Sequence, residues 1–255
     1  MTAGPGALSG RVALVTGAGS GIGRAAAELF AEQGAAIVAA DVNETGEETV
    51  ATITAAGGRA TFVRGDVSVE SDVEAMVQAA ESVYGGLDAA FNNAGIGGTH
   101  TAFEELDSDS WERMMAVNVR GVWLCTKHEL AVMVPRERGT IVNTSSAAGL
   151  VGTPKTAPYT TAKHAVIGLT RTAAVEHARR GIRVNAIAPG MTRTAMIDDI
   201  LEQSGADIDA LSAAVPLGRF AEPREIAEAA LWLTSSASSF VTGHVLAVDG
   251  GYTVQ

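Results

Sequence analysis

Short apolar runs alternate along this chain with longer amphipathic stretches, and this alternation narrows the possible folds more than any other feature. It is typical of repeated βα units, in which parallel strands buried on both faces are rich in Val, Ile and Ala. Seven runs predict strands, at Val12–Thr16, Ala36–Ala40, Ala60–Arg64, Leu87–Asn92, Thr140–Thr144, Arg183–Ala188 and Val245–Val248. The stretches between them predict helices, at Ile22–Gln33, Thr45–Ala55, Val69–Tyr84, Ser110–Val134, Ala157–Arg179 and Pro223–Ser235. We therefore expect an α/β fold, with a doubly wound seven-stranded parallel sheet and helices on both faces.

The alternation runs from end to end, so we expect a single domain. Apolar residues make up 47% of the 255 residues and charged residues only 18%, which suffices for one large core. We predict a flexible N-terminal tail at residues 1–9 and the domain at residues 10–255. Met191–Phe220 breaks the pattern, with apolar residues at roughly helical spacing but no strand. A connection of that length is commonly a lid, so residues at about 190–220 are expected to cover a substrate.

The charge of the chain limits its partners. Its 18 Lys and Arg stand against 29 Asp and Glu, a formal net charge of −11, which repels phosphate backbones and anionic lipid. We therefore expect neither nucleic acid nor a membrane as a partner. No signal-peptide pattern and no apolar stretch of about 20 residues is found, which predicts a soluble, cytoplasmic protein.

Cysteine and histidine give little sign of chemistry. Cys125 is the single cysteine and lies in an apolar helical pattern, so we interpret it as a core residue. Four histidines show no metal-ligand spacing, and we expect no metal site: His128, His164, His177 and His244. His100 lies beside the expected pocket and remains a candidate for substrate contact.

The first strand leads directly into the glycine-rich turn Thr16-Gly17-Ala18-Gly19-Ser20-Gly21-Ile22-Gly23, where a helix begins. Glycine lets a backbone approach a pyrophosphate closely, and a helix N-terminus offers free N–H donors. A tight turn without a ligand is the alternative. The position of the glycine-rich turn between a strand and an Ala-rich helix favours a dinucleotide site.

The second strand ends at Asp41, eighteen residues past Gly23, where a carboxylate can accept hydrogen bonds from the adenosine ribose. The same carboxylate would repel a 2′-phosphate. Ser20 and Val42 occupy the places where a phosphate-binding Arg or Lys is expected. We therefore predict NAD in preference to NADP, with a helix cap as the alternative role of Asp41.

Two further strings accompany the glycine turn: Asn92-Asn93-Ala94-Gly95 after the fourth strand, and Tyr159-Thr160-Thr161-Ala162-Lys163 on a later helix. Together with the spacing T-G-x-x-x-G-x-G, they resemble the short-chain dehydrogenase/reductase family. The resemblance extends from Arg11 to Gly251 and includes Asp66-Val67, Asn118, Ser146, Asn185, Pro189-Gly190 and Asp249-Gly250-Gly251. It implies a single-domain Rossmann fold that binds a dinucleotide and catalyses oxidation or reduction.

The chemistry of Tyr159 and Lys163 follows from their spacing. Oxidation of a secondary alcohol needs a base near neutral pH, and free tyrosine has a pKa of about 10. Lys163 lies at i+4 from Tyr159, so both share one helix face. An ammonium nearby, helped by the positive nicotinamide, is expected to lower the tyrosine pKa by about 3 units. Tyr159 is therefore the predicted general acid/base. The alternative is that Tyr159 and Lys163 form an ordinary solvent-exposed pair on a helix surface.

Ser146 precedes Tyr159 by thirteen residues, the interval that the family shows, and its hydroxyl can donate to the reacting oxygen. Ser145 is the neighbouring rival, but adjacent residues of a strand face opposite sides. The resemblance further implies that Asn118 holds a water linking Lys163 to solvent. The alternative for Asn118 is a polar residue that kinks its helix.

The resemblance also implies which residues bind the cofactor. Lys163 would bond the nicotinamide ribose, Asp66 and Val67 would flank adenine, and Asn93 would hold the adenosine sugar. The full predicted set is Gly17, Ser20, Gly21, Ile22, Gly23, Asp41, Val42, Asp66, Val67, Asn93, Ala94, Gly95, Tyr159, Lys163, Pro189, Gly190, Thr192 and Thr194.

The predicted substrate pocket is apolar and suits an uncharged, moderately hydrophobic alcohol or ketone. It comprises Ile96, Ser146, Ala148, Leu150, Pro154, Tyr159, Met191 and Met196. Lys155 and Arg193 leave open a carboxylate or phosphate on the substrate. The predicted activity is NAD-dependent interconversion of a secondary alcohol and a ketone.

Three alternatives remain at this stage. The first is an NADPH-dependent 3-oxoacyl-carrier-protein reductase, against which Asp41 and the acidic charge argue. The second is a sugar dehydrogenase, and the third a non-catalytic NAD-binding protein. The resemblance also implies a homotetramer, formed through the two longest helices and the C-terminal strand.

Overall fold

The computed structural model describes residues 6–98, 100–197 and 207–255, and these contain the predicted seven-stranded parallel sheet. Its strand order is β3-β2-β1-β4-β5-β6-β7, so the direction of winding reverses between β1 and β4. A reversal of this kind opens a crevice at the carboxyl ends of the strands, where ligands bind in doubly wound sheets. The strands are β1 Val12–Thr16, β2 Ala36–Asp41, β3 Arg59–Arg64, β4 Ala89–Asn92, β5 Gly139–Thr144, β6 Ile182–Pro189 and β7 Val245–Val248.

Helices cover both faces of this sheet. They are α1 Gly21–Glu32, α2 Thr45–Ala55, α3 Glu70–Tyr84, α4 Ser108–Met115, α5 Val122–Met133, α6 Ala157–His177, α7 Ile208–Ala213 and α8 Pro223–Thr234. Each central strand is buried on both sides, and successive residues face opposite cores. Ala13 and Val15 join a core formed with α1 and α8, while Val12 and Leu14 join a core formed with α3 and α5.

The predicted helix Ser110–Val134 is interrupted in the structure. It consists of α4, a π-helical turn at Ala116–Gly121, and α5. Such turns widen a helix by one residue and often accompany functional side chains. Asn118 lies in this turn and is fully buried, so the irregular backbone is associated with a candidate site residue. Helical periodicity alone cannot reveal one extra residue in a turn.

The two ends of the fold prediction are only partly described. Residues 1–5 of the predicted tail lie outside the described residues, whereas Leu8 is 2% exposed and its N–H donates to the Gln33 carbonyl at 3.0 Å. Packing against the core therefore begins before residue 10. The predicted lid is described at residues 190–197 and 207–220, and it contains the short helix α7, which the sequence did not predict.

Cys125 is a core residue, as the sequence predicted. It is 1% exposed, and burial raises the pKa of its thiol well above the usual value. Among the described residues, no helix is both long and apolar enough to span a lipid bilayer.

Candidate active site

The glycine turn joins the end of β1 to the start of α1. Gly17 and Gly21 have φ angles of 68° and 51°, which favour glycine. A Cβ on Gly23 would lie 2.0 Å from the Gly17 carbonyl oxygen, so no other residue fits there. Ser20 is the N-cap of α1 but makes no side-chain capping bond. The first N–H groups of the helix are therefore suited to an anionic ligand.

Three side chains that sequence reasoning missed hold this turn in place. Arg24 donates to the Gly19 carbonyl from Nε at 3.1 Å and from Nη2 at 2.7 Å. Thr49 is fully buried and its hydroxyl donates to the Ala18 carbonyl at 2.8 Å. Thr16 Oγ1 accepts from the N–H groups of both Asn93 and Ala94 at 3.1 Å, which ties β1 to β4. Each looks like an ordinary helix or strand residue, so only the fold reveals these roles.

Asp41 belongs to the glycine turn rather than to a helix cap. Its Oδ2 accepts from the Gly19 N–H at 2.8 Å and its Oδ1 from the Asn43 N–H at 2.9 Å, while Glu44 occupies the N-cap of α2. The neighbouring Val42 side chain is 53% exposed. The carboxylate is therefore held at the carboxyl end of β2, on the edge of the sheet where the glycine turn lies.

Two arginines approach the region around Asp41, and each is paired with a glutamate. Arg64 donates to the Val42 carbonyl at 3.2 Å and pairs with Glu44 at 3.1 Å. Arg24 pairs with Glu48 at 3.0 Å. A 2′-phosphate would therefore meet guanidinium groups whose charge is already balanced by carboxylates.

The segment after β3 is also arranged by local hydrogen bonds. Asp66 Oδ1 accepts from the Ser68 N–H at 2.8 Å, and the Asp66 N–H donates to Asp72 at 3.0 Å. Val67 is 6% exposed and packs so tightly that a Cβ on Gly121 would lie 2.7 Å from its Cγ2. The π turn therefore lies directly against the predicted adenine-binding segment.

Asn118 connects the π turn to the loop after β4. Its Oδ1 accepts from the Ile96 N–H at 2.8 Å, and its Nδ2 donates to the Ile96 carbonyl at 2.9 Å. A Cβ on Gly95 would lie 3.1 Å from Asn118 Oδ1 and 3.6 Å from Lys163 Nζ. The fold thus brings the side chains of Asn118 and Lys163 to the same point beside Gly95, as a relay between them requires.

Tyr159, Lys163 and Ser146 form one cluster at the carboxyl end of β5. Lys163 is 4% exposed, and its Nζ lies 5.5 Å from the centre of the Tyr159 ring and donates to the Thr144 carbonyl at 3.0 Å. Ser146 lies beside the Tyr159 side chain, close enough for its hydroxyl to lower the pKa of the phenol. The Ser145 hydroxyl instead donates to the Lys163 carbonyl at 2.8 Å. The structure therefore places Ser146, and not Ser145, beside the tyrosine.

The pKa values in this cluster differ from the expectation drawn from spacing. Burial raises the pKa of Tyr159, and the hydrogen bond with Ser146 only partly opposes this. Burial also lowers the pKa of Lys163 to about 8. Without further positive charge, desolvation dominates both pKa values, because burial penalises the charged form of each group. The protein alone therefore favours a neutral phenol, ready to donate a proton.

The start of the predicted lid lies beside the glycine turn. A Cβ on Gly190 would lie 2.7 Å from Asp249 Cα, and Thr192 pairs with Ala221 beside it. A Cβ on Gly21 would lie 3.0 Å from Thr194 Cγ2. Thr194, one of the predicted cofactor-binding residues, thus lies within contact distance of the glycine turn.

The predicted substrate pocket is brought together in part. A Cβ on Gly97 would lie 3.2 Å from Met196 Cγ, and one on Gly98 would lie 3.9 Å from Tyr159 Cβ. Ser146 Oγ accepts from the Ala148 N–H at 3.2 Å. Ile96 and Met191 are half-buried, whereas Leu150 and Pro154 are exposed.

The two basic residues near the pocket differ in their pairing. Arg193 forms an ion pair with Glu222 at 3.1 Å. Lys155 has a φ of 62°, unusual for a residue other than glycine, and its carbonyl accepts from the Thr101 N–H at 3.1 Å. The charge of Arg193 is therefore already balanced by Glu222, whereas Lys155 forms no ion pair within the described part of the chain.

A buried polar network that the sequence did not predict lies beneath the site. Asn92 Nδ2 donates to Glu129 at 3.0 Å and to Asn143 at 2.9 Å, and Asn143 donates to Thr170 at 3.0 Å. It links β4, β5, α5 and α6, the helix that carries Tyr159. Glu129 is fully buried, and burial raises the pKa of its carboxyl to about 8. Polar residues within apolar runs were the available signal.

We predict that Glu129→Gln raises stability at alkaline pH. The unfolded carboxyl ionises near 4.5 and the folded one near 8, so wild-type stability falls as pH rises between these values. The slope from this residue is about 1.4 kcal/mol per pH unit. In thermal melts from pH 5 to pH 9, the melting temperature of the variant should rise relative to that of the wild type as pH rises. The exposed Glu176→Gln serves as the control, and parallel curves for both variants would contradict the prediction.

His128 does not stand alone as the sequence suggested. Its Nε2 lies 3.1 Å from a Glu70 oxygen and 3.8 Å from a Glu74 oxygen, and one ligand atom from each residue lies within 4.8 Å of the others. The Lys127 ammonium also contacts Glu70. Lys127 and His128 on α5 thus both contact Glu70 on α3, and the cluster lies between these two helices.

Comparison with known proteins bears on the reaction. A family model described as enoyl-(acyl carrier protein) reductase matches residues 17–253. The chain is 46% identical to 2,5-dichloro-2,5-cyclohexadiene-1,4-diol dehydrogenase of Sphingobium indicum, over 96% of this chain and 98% of the relative. It is also 46% identical to cis-4-hydroxycyclohexanecarboxylate dehydrogenase of Sinomonas cyclohexanicum, over 97% of this chain and 98% of the relative.

Solved structures agree with this assignment. Levodione reductase superimposes with a TM-score of 0.94 and 37% identity, covering 97% of this chain and 99% of the other. An actinorhodin polyketide ketoreductase variant with NADPH superimposes with a TM-score of 0.92 and 35% identity, covering 96% of this chain and 98% of the other. The sequence motifs, the sheet order and these full-length similarities agree. The chain belongs to the short-chain dehydrogenase/reductase family and is an oxidoreductase that uses a nicotinamide cofactor.

Proposed function

We propose that this enzyme interconverts a secondary alcohol and a ketone with NAD, using Tyr159 as the general acid/base. The observation that carries the proposal is the contact of Ser146 with Tyr159 above the buried Lys163 ammonium. This cluster lies on the same edge of the sheet as the glycine turn. A proton donor and a second hydroxyl can therefore meet one substrate oxygen beside a dinucleotide.

The residues of the crevice fit a dinucleotide. The uncapped start of α1 suits its pyrophosphate, Asp41 suits its adenosine ribose, and Lys163 is positioned beside Tyr159 for the other ribose. When bound, the nicotinamide ring accepts or supplies hydride, and its oxidised form adds positive charge. Such charge opposes the effect of burial on the Tyr159 pKa.

Each catalytic residue has a separate task in this proposal. Tyr159 exchanges the proton of the substrate hydroxyl, and Ser146 donates a hydrogen bond to the same oxygen. Lys163 places positive charge below the phenol. Asn118, fixed by its two bonds to Ile96, positions the route by which the proton reaches solvent.

We propose NAD in preference to NADP because of the Asp41 carboxylate. We predict that Asp41→Ser shifts the ratio of kcat/KM for NAD over NADP toward NADP by about 10- to 100-fold, since charged hydrogen bonds contribute about 1.5–3 kcal/mol. The exposed Glu81→Ser removes the same charge elsewhere and should leave the ratio unchanged. An unchanged ratio in Asp41→Ser would contradict this role.

The substrate that we propose is an alicyclic secondary alcohol or the matching ketone. The predicted pocket residues Met196, Met191 and Ile96 are apolar, and two relatives are named for substrates with six-membered carbon rings. A screen of cyclic and linear alcohols, sugars and hydroxyacyl thioesters, followed by NADH fluorescence, tests this. Faster turnover of acyl thioesters with NADPH would instead favour the acyl-carrier-protein reductase, and preference for sugars the sugar dehydrogenase.

We propose that the enzyme assembles as a homotetramer in the cytoplasm. An apolar surface hollow crosses α4, the π turn, α5 and α6, and is lined by Met115, Val119, Trp123 and Leu169. Trp123 is 45% exposed there. Light scattering after size exclusion should give the mass of four chains for the wild type and a smaller mass for Trp123→Glu. A monomeric wild type would contradict the assembly.

A further inference from the structure

A second cleft lies at the opposite edge of the sheet from the candidate active site. It has a volume of about 340 Å³ and forms where β1, β4, β5 and β6 begin. Three arginines line it, Arg11, Arg138 and Arg183, together with Asp88, Thr140 and Ser235. We call it the basal cleft. None of the catalytic residues described above borders it.

The single carboxylate of the basal cleft is already fully used. Asp88 Oδ1 pairs with Arg138 at 2.9 Å and with Arg136 at 3.4 Å, and its Oδ2 accepts from the Val12 N–H at 3.0 Å. Arg11 is exposed and forms no ion pair within residues 6–98, 100–197 and 207–255. The positive charge in the cleft therefore exceeds what Asp88 can balance.

Arg183 adds a half-buried cation without a carboxylate. Its guanidinium donates to the carbonyls of Leu233 at 2.9 Å, Ser235 at 3.0 Å and Val241 at 3.0 Å, and to Thr140 Oγ1 at 3.2 Å. No described carboxylate pairs with it. Burial lowers its pKa, because desolvated charge without an opposite charge is unfavourable.

We propose that the basal cleft binds a small phosphate-bearing anion. Three guanidinium groups and one carboxylate leave a surplus of two positive charges, and a phosphate ester carries about −1.5 to −2 at neutral pH. The exposed guanidinium groups of Arg11 and Arg138 match phosphate geometry with paired donors, whereas Arg183, whose donors already bind carbonyls and Thr140, contributes its positive charge. In a chain with a formal net charge of −11, such a concentration of unbalanced cations calls for an anionic ligand.

Isothermal titration calorimetry with inorganic phosphate and with glycerol 3-phosphate, at constant ionic strength and with saturating NADH, tests the proposal. We expect saturable binding by the wild type. Arg11→Gln and Arg138→Gln should each raise the dissociation constant about tenfold, equivalent to roughly 1.4 kcal/mol. Tighter binding of glycerol 3-phosphate would identify a phosphorylated metabolite, and equal binding would identify phosphate itself.

Arg171 is exposed on α6, outside the cleft, so Arg171→Gln is the control. This variant should bind phosphate and glycerol 3-phosphate as the wild type does. Circular dichroism checks that the variants are folded. Saturating NADH fills the glycine-turn crevice, so phosphate bound there would be displaced and would not respond to Arg11→Gln. Absence of saturable binding, or equal loss in all three variants, would overturn the proposal.

Discussion

Replacing Tyr159 with phenylalanine will lower kcat by about 10²- to 10⁴-fold and leave NADH binding intact. The substitution removes only the hydroxyl, which lies beside Ser146 and exchanges the proton in the function proposed above. The ring remains packed over Lys163 Nζ, 5.5 Å from its centre. Steady-state kinetics with an alicyclic alcohol and a fluorescence titration with NADH measure the two effects separately.

Tyr84→Phe is the matched control, since Tyr84 lies at the end of α3 beside Arg59 and far in sequence from the cluster. It should keep wild-type kinetics. If Tyr159→Phe kept its activity, the acid/base would have to be another group. If the wild type bound NADH but turned over no alcohol, ketone, sugar or thioester, the non-catalytic alternative would stand.

Lys163→Met will remove activity and weaken NADH binding while the protein stays folded. We expect kcat/KM to fall by about 10³-fold, within the range for loss of acid/base support, because the phenol loses its nearby charge and the ribose its donor. The dissociation constant for NADH should rise as well, which separates this variant from Tyr159→Phe.

The stability of Lys163→Met distinguishes lost chemistry from lost folding. The Lys163 pKa falls from 10.5 unfolded to about 8 folded, so burial of the ammonium costs wild-type stability below pH 8. That cost disappears as pH rises toward 10.5. The melting temperature of the variant at pH 7 should therefore be no lower than that of the wild type, with its relative advantage shrinking at higher pH.

Lys127→Met is the control for this experiment, because Lys127 is exposed and pairs with Glu70 on the surface. It should change neither activity nor the pH dependence of melting. A melting temperature for Lys163→Met far below that of the wild type at pH 7 would show that the buried ammonium is structurally favourable, contrary to this account.

The glycine turn and the strands were accessible from the sequence because their signals are local. The backbone of the turn after β1 is defined by a few neighbouring residues, among them Gly17 and Gly21. A short, continuous apolar run such as β1 predicts a strand that is buried on both faces. The i+4 spacing of Tyr159 and Lys163 likewise predicts a shared helix face without knowledge of the fold.

Other parts of the site depend on residues distant in sequence. The π turn at Asn118 exists alongside its bonds to Ile96, twenty-two residues away, and the hydroxyl of Ser145 is directed to the Lys163 carbonyl by the packing of α6. From the sequence, Glu129 resembles an ordinary helix residue, and only the fold reveals that it is buried and bonded to Asn92.

The amino-acid sequence by itself determined the order of the elements, the glycine turn, the position of Asp41 after β2 and the spacing of the tyrosine and lysine. Only the tertiary structure decided the charge states of the buried groups: the raised pKa of Tyr159, the lowered pKa of Lys163 and the surplus of cations in the basal cleft. The reason is that desolvation and charge balance depend on everything packed around a group, most of which comes from other parts of the chain.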